Sequence, residues 1–207
     1  MFGRLSCVTN DHYFSPNPES ELRRRTITAT LAGRELTLTT ASGVFSPERV
    51  DPGTAVLLAG APQPPATGDL LDVGCGWGPI TLSLALSSPD ATVWAVDVNE
   101  RARELCALNA ERNGLGNVRV VAPDDVPADL VLDAIWSNPP IRVGKAALHD
   151  LLRRWLGTLA PEGRAWLVVQ KHLGSDSLAT WLTAAGWPTT RLASRHAYRV
   201  LEAERPA

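Results

Sequence analysis

The stretch "DVGCGWGP", Asp72 to Pro79, decides how the chain is read. It sets glycines at 74, 76 and 78 between the apolar run "DLLDV" and the segment "PITLSLALSS". A short buried strand therefore runs into a tight turn and straight out into a helix that opens on a proline. Glycine lets the backbone turn sharply and approach a ligand with no Cβ in the way. The helix start adds N–H groups that have no partner within the helix.

Outward from this loop the pattern alternates. "ATVWAVDV" reads as a strand, and "NERARELCALNAERNG" as a helix closing at Gly114. "NVRVVAP" and "LVLDAIWSN" are strands, and "KAALHDLLRRWLGTLA" is an amphipathic helix. "GRAWLVVQ" is a strand and "DSLATWLTAAG" a helix, and "TTRLAS" with "AYRVLEAE" forms a hairpin around Arg195 and His196. Strands alternating with helices predict a parallel sheet covered on both faces, with one antiparallel strand added by the closing hairpin. Upstream, "TITATL" and "ELTLTT" flank "AGR" as a second hairpin, and a short helix starts near Pro52. "APQPPATG", Ala61 to Gly68, holds three prolines in eight residues and reads as a linker. The expected division is residues 1–65 as a β-rich cap and linker and 66–207 as the α/β domain.

The totals set bounds. A chain of 207 residues with 44% hydrophobic residues can bury a real core as one domain with an extension. The formal charge of -2 supplies no global electrostatic footprint for nucleic acid, which leaves only local patches. Arginine outnumbers lysine 18 to 2, a skew ascribed to codon composition. Cys7, Cys75 and Cys106 show no metal spacing and read as free thiols, so no metal is expected. No signal-like start and no 18-residue apolar window is present, so the expected location is the cytoplasm, away from membranes.

The loop is a nucleotide-type site, and its spacing narrows the choice. The dinucleotide fingerprint Gly-x-Gly-x-x-Gly begun at Gly74 would need glycine at 79, where Pro79 stands. Glycines at every second position behind an acid resemble motif I of the class I S-adenosylmethionine (SAM) methyltransferases. Asp97 ends the next strand, 19 residues after Gly78, where a carboxylate can accept hydrogen bonds from both ribose hydroxyls. The resemblance implies SAM as cofactor, held by Asp72, Gly74, Cys75, Gly76, Gly78, Asp97 and the adjoining Val98. Cys75 is expected to fill the small space beside the glycines and not to act as a nucleophile. Asp124 and Asp125 match positions that often meet the adenine amine in that superfamily. A solvated turn is the competing reading for these two.

The fourth strand of the domain ends in "SNPPI". Two prolines can neither continue a ladder nor enter a helix. In a doubly wound sheet this strand end faces the ligand. Asn138-Pro139-Pro140 resembles the Asn-Pro-Pro-(Phe/Tyr) motif of methyltransferases acting on planar nitrogens, either base amines or the glutamine amide. An aromatic amine shares its lone pair with the ring. The Asn138 oxygen and the Pro139 carbonyl can accept its protons and turn the lone pair toward a methyl group. Ile141 stands where that motif has the stacking aromatic.

"HYFSPNP", "LTLTTASGVFSPERVDPGTAVLL", "SNPPI" and "HAYRVLEA" together resemble the small-domain class I methyltransferase family. It includes enzymes that methylate the exocyclic amine of guanine in small-subunit ribosomal RNA. The resemblance runs from about His12 to Glu202. It implies a Rossmann-like seven-stranded sheet with a C-terminal antiparallel hairpin, a small β-rich cap that helps form the site, and ribosomal RNA or the small subunit as partner. Arg142, Lys145 and Lys171 follow strand ends on the active face, with His172 beside the last. They are candidates for RNA phosphates, against a reading as ordinary surface charge, and Arg23 to Arg25 form a further basic cluster. Two other readings stay open: a protein glutamine-amide methyltransferase, and a SAM- or RNA-binding module without catalysis.

Overall fold

A computed structural model describes residues 21–206. Expectations placed on residues 1–20, the "HYFSPNP" match and Cys7 among them, lie outside the described residues. The chain first forms a hairpin, β1 (Arg24–Leu31) and β2 (Arg34–Ala41), whose two-residue turn has Ala32 and Gly33 at positive φ. That geometry matches the right-handed twist of the flanking strands. Helix α1 (Pro52–Gly60) follows, capped by Asp51, whose carboxylate accepts the Thr54 amide at 3.1 Å.

The larger unit runs β3 (Thr67–Val73), α2 (Pro79–Ser87), β4 (Asp90–Val96), α3 (Glu100–Arg112), β5 (Val118–Val121), β6 (Leu132–Ser137), α4 (Lys145–Leu156), β7 (Leu159–Gln170), α5 (Ser175–Ala184), β8 (Thr189–Arg195) and β9 (Tyr198–Glu204). The sheet order is β5-β4-β3-β6-β7-β9-β8. The pairs from β5 to β7 are parallel, whereas β9 pairs antiparallel with both β7 and β8. This is the seven-stranded α/β sheet with a closing antiparallel hairpin expected from the sequence. After β5 the chain returns to the other side of β3, so the strand order reverses there, and the crevice opens at the carboxyl ends of β3, β4 and β6.

Period-two alternation sends neighbouring side chains to opposite faces. Leu71 and Val73 of β3 pack with Leu148, Leu152 and Trp155 of α4 and with Leu178 and Leu182 of α5. Leu70 points the other way, into Val56 and Leu57 of α1, Ile80 and Leu84 of α2, and the Trp136–Trp166 pair with ring centroids 4.6 Å apart. A third cluster joins Leu31, Leu36 and Leu38 of the hairpin to Trp77, Leu82 and Leu105, so the hairpin lies on α2 and α3. No helix among the described residues is long and apolar enough to cross a membrane.

Two boundaries differ from the sequence expectation. The helix predicted over 145–160 stops at Leu156: Gly157 donates to the Arg153 carbonyl, Thr158 Oγ1 closes on the Trp155 carbonyl, and Thr158 then accepts from Leu132. Leu159 is thereby drawn into β7, beside Leu132. At the linker, Thr67 and Gly68 already pair with Asp90 and Ala91. The Asp133 carboxylate, which accepts the Asp69 amide at 2.8 Å, fills the space above Gly68, where a Cβ would fall 2.1 Å from it.

Candidate active site

The glycine loop is held from below by Asp72. Its Oδ2 accepts the Thr81 amide at 2.9 Å and the Thr81 hydroxyl at 2.6 Å, tying the end of β3 to the first turn of α2. Asp72 is fully buried, and its Oδ1 has no hydrogen-bond partner. Burial outweighs the Thr81 bonds and pushes its carboxyl up to about 7. Gly74, Gly76 and Gly78 all have positive φ. Space stands open where a Cβ would be at Gly74 and Gly76, whereas at Gly78 it would lie 3.1 Å from Cys106 Sγ.

Asp97 closes the far side of the loop. Its Oδ2 accepts the Gly76 amide and its Oδ1 the Asn99 amide, each at 2.9 Å. Each oxygen keeps a further lone pair. Burial raises the Asp97 carboxyl, opposed by these two amides and by Arg103. Arg103 also holds the Asp97 and Val98 carbonyls at 2.7 and 3.0 Å.

The segment between β2 and α1 is fastened over this loop. Trp77 Nε1 donates to the Ser46 carbonyl at 3.1 Å, and Asn99 Nδ2 to the Gly43 carbonyl at 2.8 Å. Buried Asn109 accepts the Thr39 amide and donates to the Thr39 and Trp77 carbonyls.

Asn138 is positioned by both halves of the chain. Ser137 Oγ donates to the Val73 carbonyl at 2.7 Å, locking the ends of β6 and β3 together. The Asn138 Nδ2 donates to Asp51 Oδ2 at 3.0 Å and to Thr54 Oγ1 at 3.1 Å. Pro140, with φ −74° and ψ 75°, forms an inverse γ-turn in which the Ile141 amide donates to the Pro139 carbonyl at 2.8 Å. One lone pair of that carbonyl remains for a ligand.

These groups surround a cavity of about 400 Å³. Gly74, Gly76, Asp97 and Val98 line one part, and Asn138, Pro139, Pro140, Ile141 and Arg142 another. Asp72 and Gly78 stand behind the wall, as supports of the loop. Cys75 is buried against Cys106, and the hydrogen bond between the thiols, with burial, raises its pKa well above the usual range, so it stays a thiol. Pro123 reaches the cavity, whereas the Asp124 carboxylate turns outward to Arg154 at 2.8 Å and Asp125 is exposed. Lys145, Lys171 and His172 are exposed outside the cavity lining. The lining also includes Phe45, Asp51, Gln170 and Tyr198, to which the sequence reading assigned no individual role. Phe45 and Asp51 lie in "SGVFSPERVDPGT" and Tyr198 in "HAYRVLEA", so the signal was present as matched segments. Among the described residues no cluster of His, Cys, Asp or Glu could hold a metal ion.

The family model for the methyltransferase small domain matches residues 35–202. The chain belongs to that family. Its cofactor is S-adenosylmethionine, and the open glycine cradle at Gly74 and Gly76 beside the Asp97 carboxylate fits it. An uncharacterised protein of Bacillus subtilis, YbxB, is 40% identical over 171 residues, covering 81% of this chain and 85% of its own. A ribosomal RNA small subunit methyltransferase C of Shewanella pealeana is 34% identical over 151 residues, covering 70% of this chain and 43% of that protein. The T. thermophilus 16S rRNA N2 G1207 methyltransferase RsmC, solved with AdoMet and guanosine, superposes with a TM-score of 0.71 at 25% identity, over 91% of this chain and 52% of that one. This methyltransferase small-domain chain thus spans about half the length of the relatives with an assigned activity.

Proposed function

We propose that the chain transfers a methyl group from SAM to the exocyclic N2 amine of a guanine in small-subunit ribosomal RNA. SAM supplies an electrophilic methyl on a sulfonium. The observation that carries the reading is the Asn138 amide, whose NH2 end is taken by Asp51 and Thr54 and whose oxygen is therefore left for the cavity. An acceptor oxygen there, with the spare lone pair of the Pro139 carbonyl, suits a nitrogen that has protons to donate and a delocalised lone pair to turn. Catalysis by this chain is then a matter of positioning and fixed dipoles. Asp97 holds the ribose, Val98 borders the adenine and Ile141 covers the base. The amine proton released after transfer passes to water.

Arg142 at the cavity edge, with Lys145 and Lys171 beyond it, provides cations for RNA phosphates beside the exposed apolar residues Val143 and Leu173. The names of the Shewanella and T. thermophilus relatives support ribosomal RNA as the substrate and the cytoplasm as the location. The test is transfer of tritiated methyl from SAM to total RNA and to total protein from cells lacking the gene, with the labelled nucleotide mapped by mass spectrometry. N2-methylguanosine in small-subunit RNA is the expected product. Label in protein would identify a glutamine-amide enzyme, and SAM binding without transfer to either would identify a binding module.

A further inference from the structure

We propose that Asp51 is a positioning residue for methyl transfer, fixing which end of the Asn138 amide faces the acceptor nitrogen. The proposal rests on the reading of Asn138 given above. The two ends of a carboxamide have nearly the same shape and opposite hydrogen-bonding character. Nothing in the Asn138 backbone selects between them. Asp51 does, because an ionised carboxylate only accepts, and so only the NH2 end can stand 3.0 Å from its Oδ2. The Thr54 hydroxyl at 3.1 Å accepts the second proton of the same NH2 group. Reversing the amide would set its oxygen against the carboxylate, a repulsive contact in a partly buried place. The oxygen is thereby committed to the cavity.

Asp51 is itself well held. The Thr54 amide binds the same Oδ2 at 3.1 Å, and the backbone folds tightly at Gly53, where a Cβ would fall 2.8 Å from both Asp51 Oδ2 and the Tyr198 ring. Two further effects act in the same direction. A carboxamide that donates to a carboxylate is polarised, which makes its oxygen a stronger acceptor. Positive charge also develops on the acceptor nitrogen as the methyl arrives, and the Asp51 carboxylate stands one side chain behind it. Asp51 is therefore more than a helix cap: it is the link through which residues upstream of the glycine loop enter the chemistry.

Asp51→Asn separates the two roles. Asparagine caps a helix about as well as aspartate, so the fold should hold. An asparagine can also donate, however, so the Asn138 amide loses its enforced orientation and the charge behind it. With tritiated SAM and small-subunit ribosomal RNA from cells lacking the gene, kcat should fall on the order of ten- to a hundred-fold, the scale of a small misplacement of a reacting group. KM for RNA and the affinity for SAM should stay within a factor of two or so of wild type. In an Asn138→Ala background the same change should lower kcat by only a small factor, well short of its effect in wild type, because the group it orients is gone and only the charge is lost. Wild-type kcat in Asp51→Asn beside an impaired Asn138→Ala would overturn the positioning role and leave the proposed function standing. A fully active Asn138→Ala would overturn both. A second readout needs no turnover. The Asn138 side-chain amide signal in a ¹⁵N–¹H spectrum, identified by its loss in Asn138→Ala, should show slowed proton exchange in wild type and should shift and exchange faster in Asp51→Asn. An unchanged signal would also overturn the inference.

Discussion

The Asp97 carboxylate accepts the backbone amide of Gly76 at 2.9 Å, across 21 residues of sequence. The bond ties the end of β4 to the middle of the glycine loop, so the acid expected to hold the ribose also shapes the cradle beside it. Because Asn99 occupies the other oxygen, both ribose hydroxyls would meet a carboxylate that is already oriented. That preorganisation lowers the entropy lost on binding.

Asp97→Ala should therefore weaken SAM binding roughly ten- to a hundred-fold. A charge-assisted hydrogen bond contributes about 1.5–3 kcal/mol, and here the loop amide loses its partner as well. Titration calorimetry on the folded variant measures this. An unchanged affinity would move the ribose contact to another residue.

Asn138→Ala should bind SAM as well as wild type and lose most of its methyl transfer, on the order of 10² to 10³ in rate. Single-turnover kinetics with prebound SAM isolate the chemical step. A variant that keeps its rate would reduce Asn-Pro-Pro to a structural corner.

Ile141 lines the cavity while packing against the core that includes α4. Ile141→Phe offers a stacking face, worth roughly 1–3 kcal/mol per base in single-strand sites, and should raise substrate affinity without changing SAM binding. Ile141→Asp should lower it, because a carboxylate cannot cover a ring and repels phosphates. Steady-state KM for RNA distinguishes the two, and indifference to both changes would take the base off this residue.

Asp72 predicts a pH dependence of stability. Its folded-state pKa of about 7 lies above the ordinary 3.8, so the native state holds a proton that the unfolded chain releases. No stability is lost below about 4. As pH rises toward 7 the wild type loses up to roughly 4 kcal/mol relative to a non-titrating side chain. Asp72→Asn should accordingly gain on wild type between about pH 4 and 7 in urea midpoints and level off above that, while still accepting the Thr81 amide. Parallel midpoints across that range would show that Asp72 is ionised throughout.

The order of elements could be read from the chain because each depends on neighbours within a few residues. Glycines at 74, 76 and 78 announce positive φ, and Asn138-Pro139-Pro140 announces a strand end, without knowledge of anything distant. What could not be read is what crosses the sequence. Asp51 meets Asn138 from 87 positions away, and Thr39 meets Asn109 from 70. Neither partner carries a local pattern that names the other. Asp124 illustrates the same limit: its place after β5 is local, but Arg154, which draws it outward, lies on α4. The early end of α4 turned on Thr158, whose carbonyl is claimed by Leu132 of β6.

The pairing of Asp51 with Asn138 has a consequence for how the protein is made. Synthesis proceeds from the amino terminus at about 5–20 residues per second, so the 87 residues separating the partners take roughly 4 to 17 s to emerge. For the first two thirds or so of that interval the hairpin's Leu36 and Leu38 wait for α3 to arrive and cover them. The emerging chain exposes an unpaired apolar strand face until translation has passed Asn109, and it gains its oriented amide only after Asn138 is out.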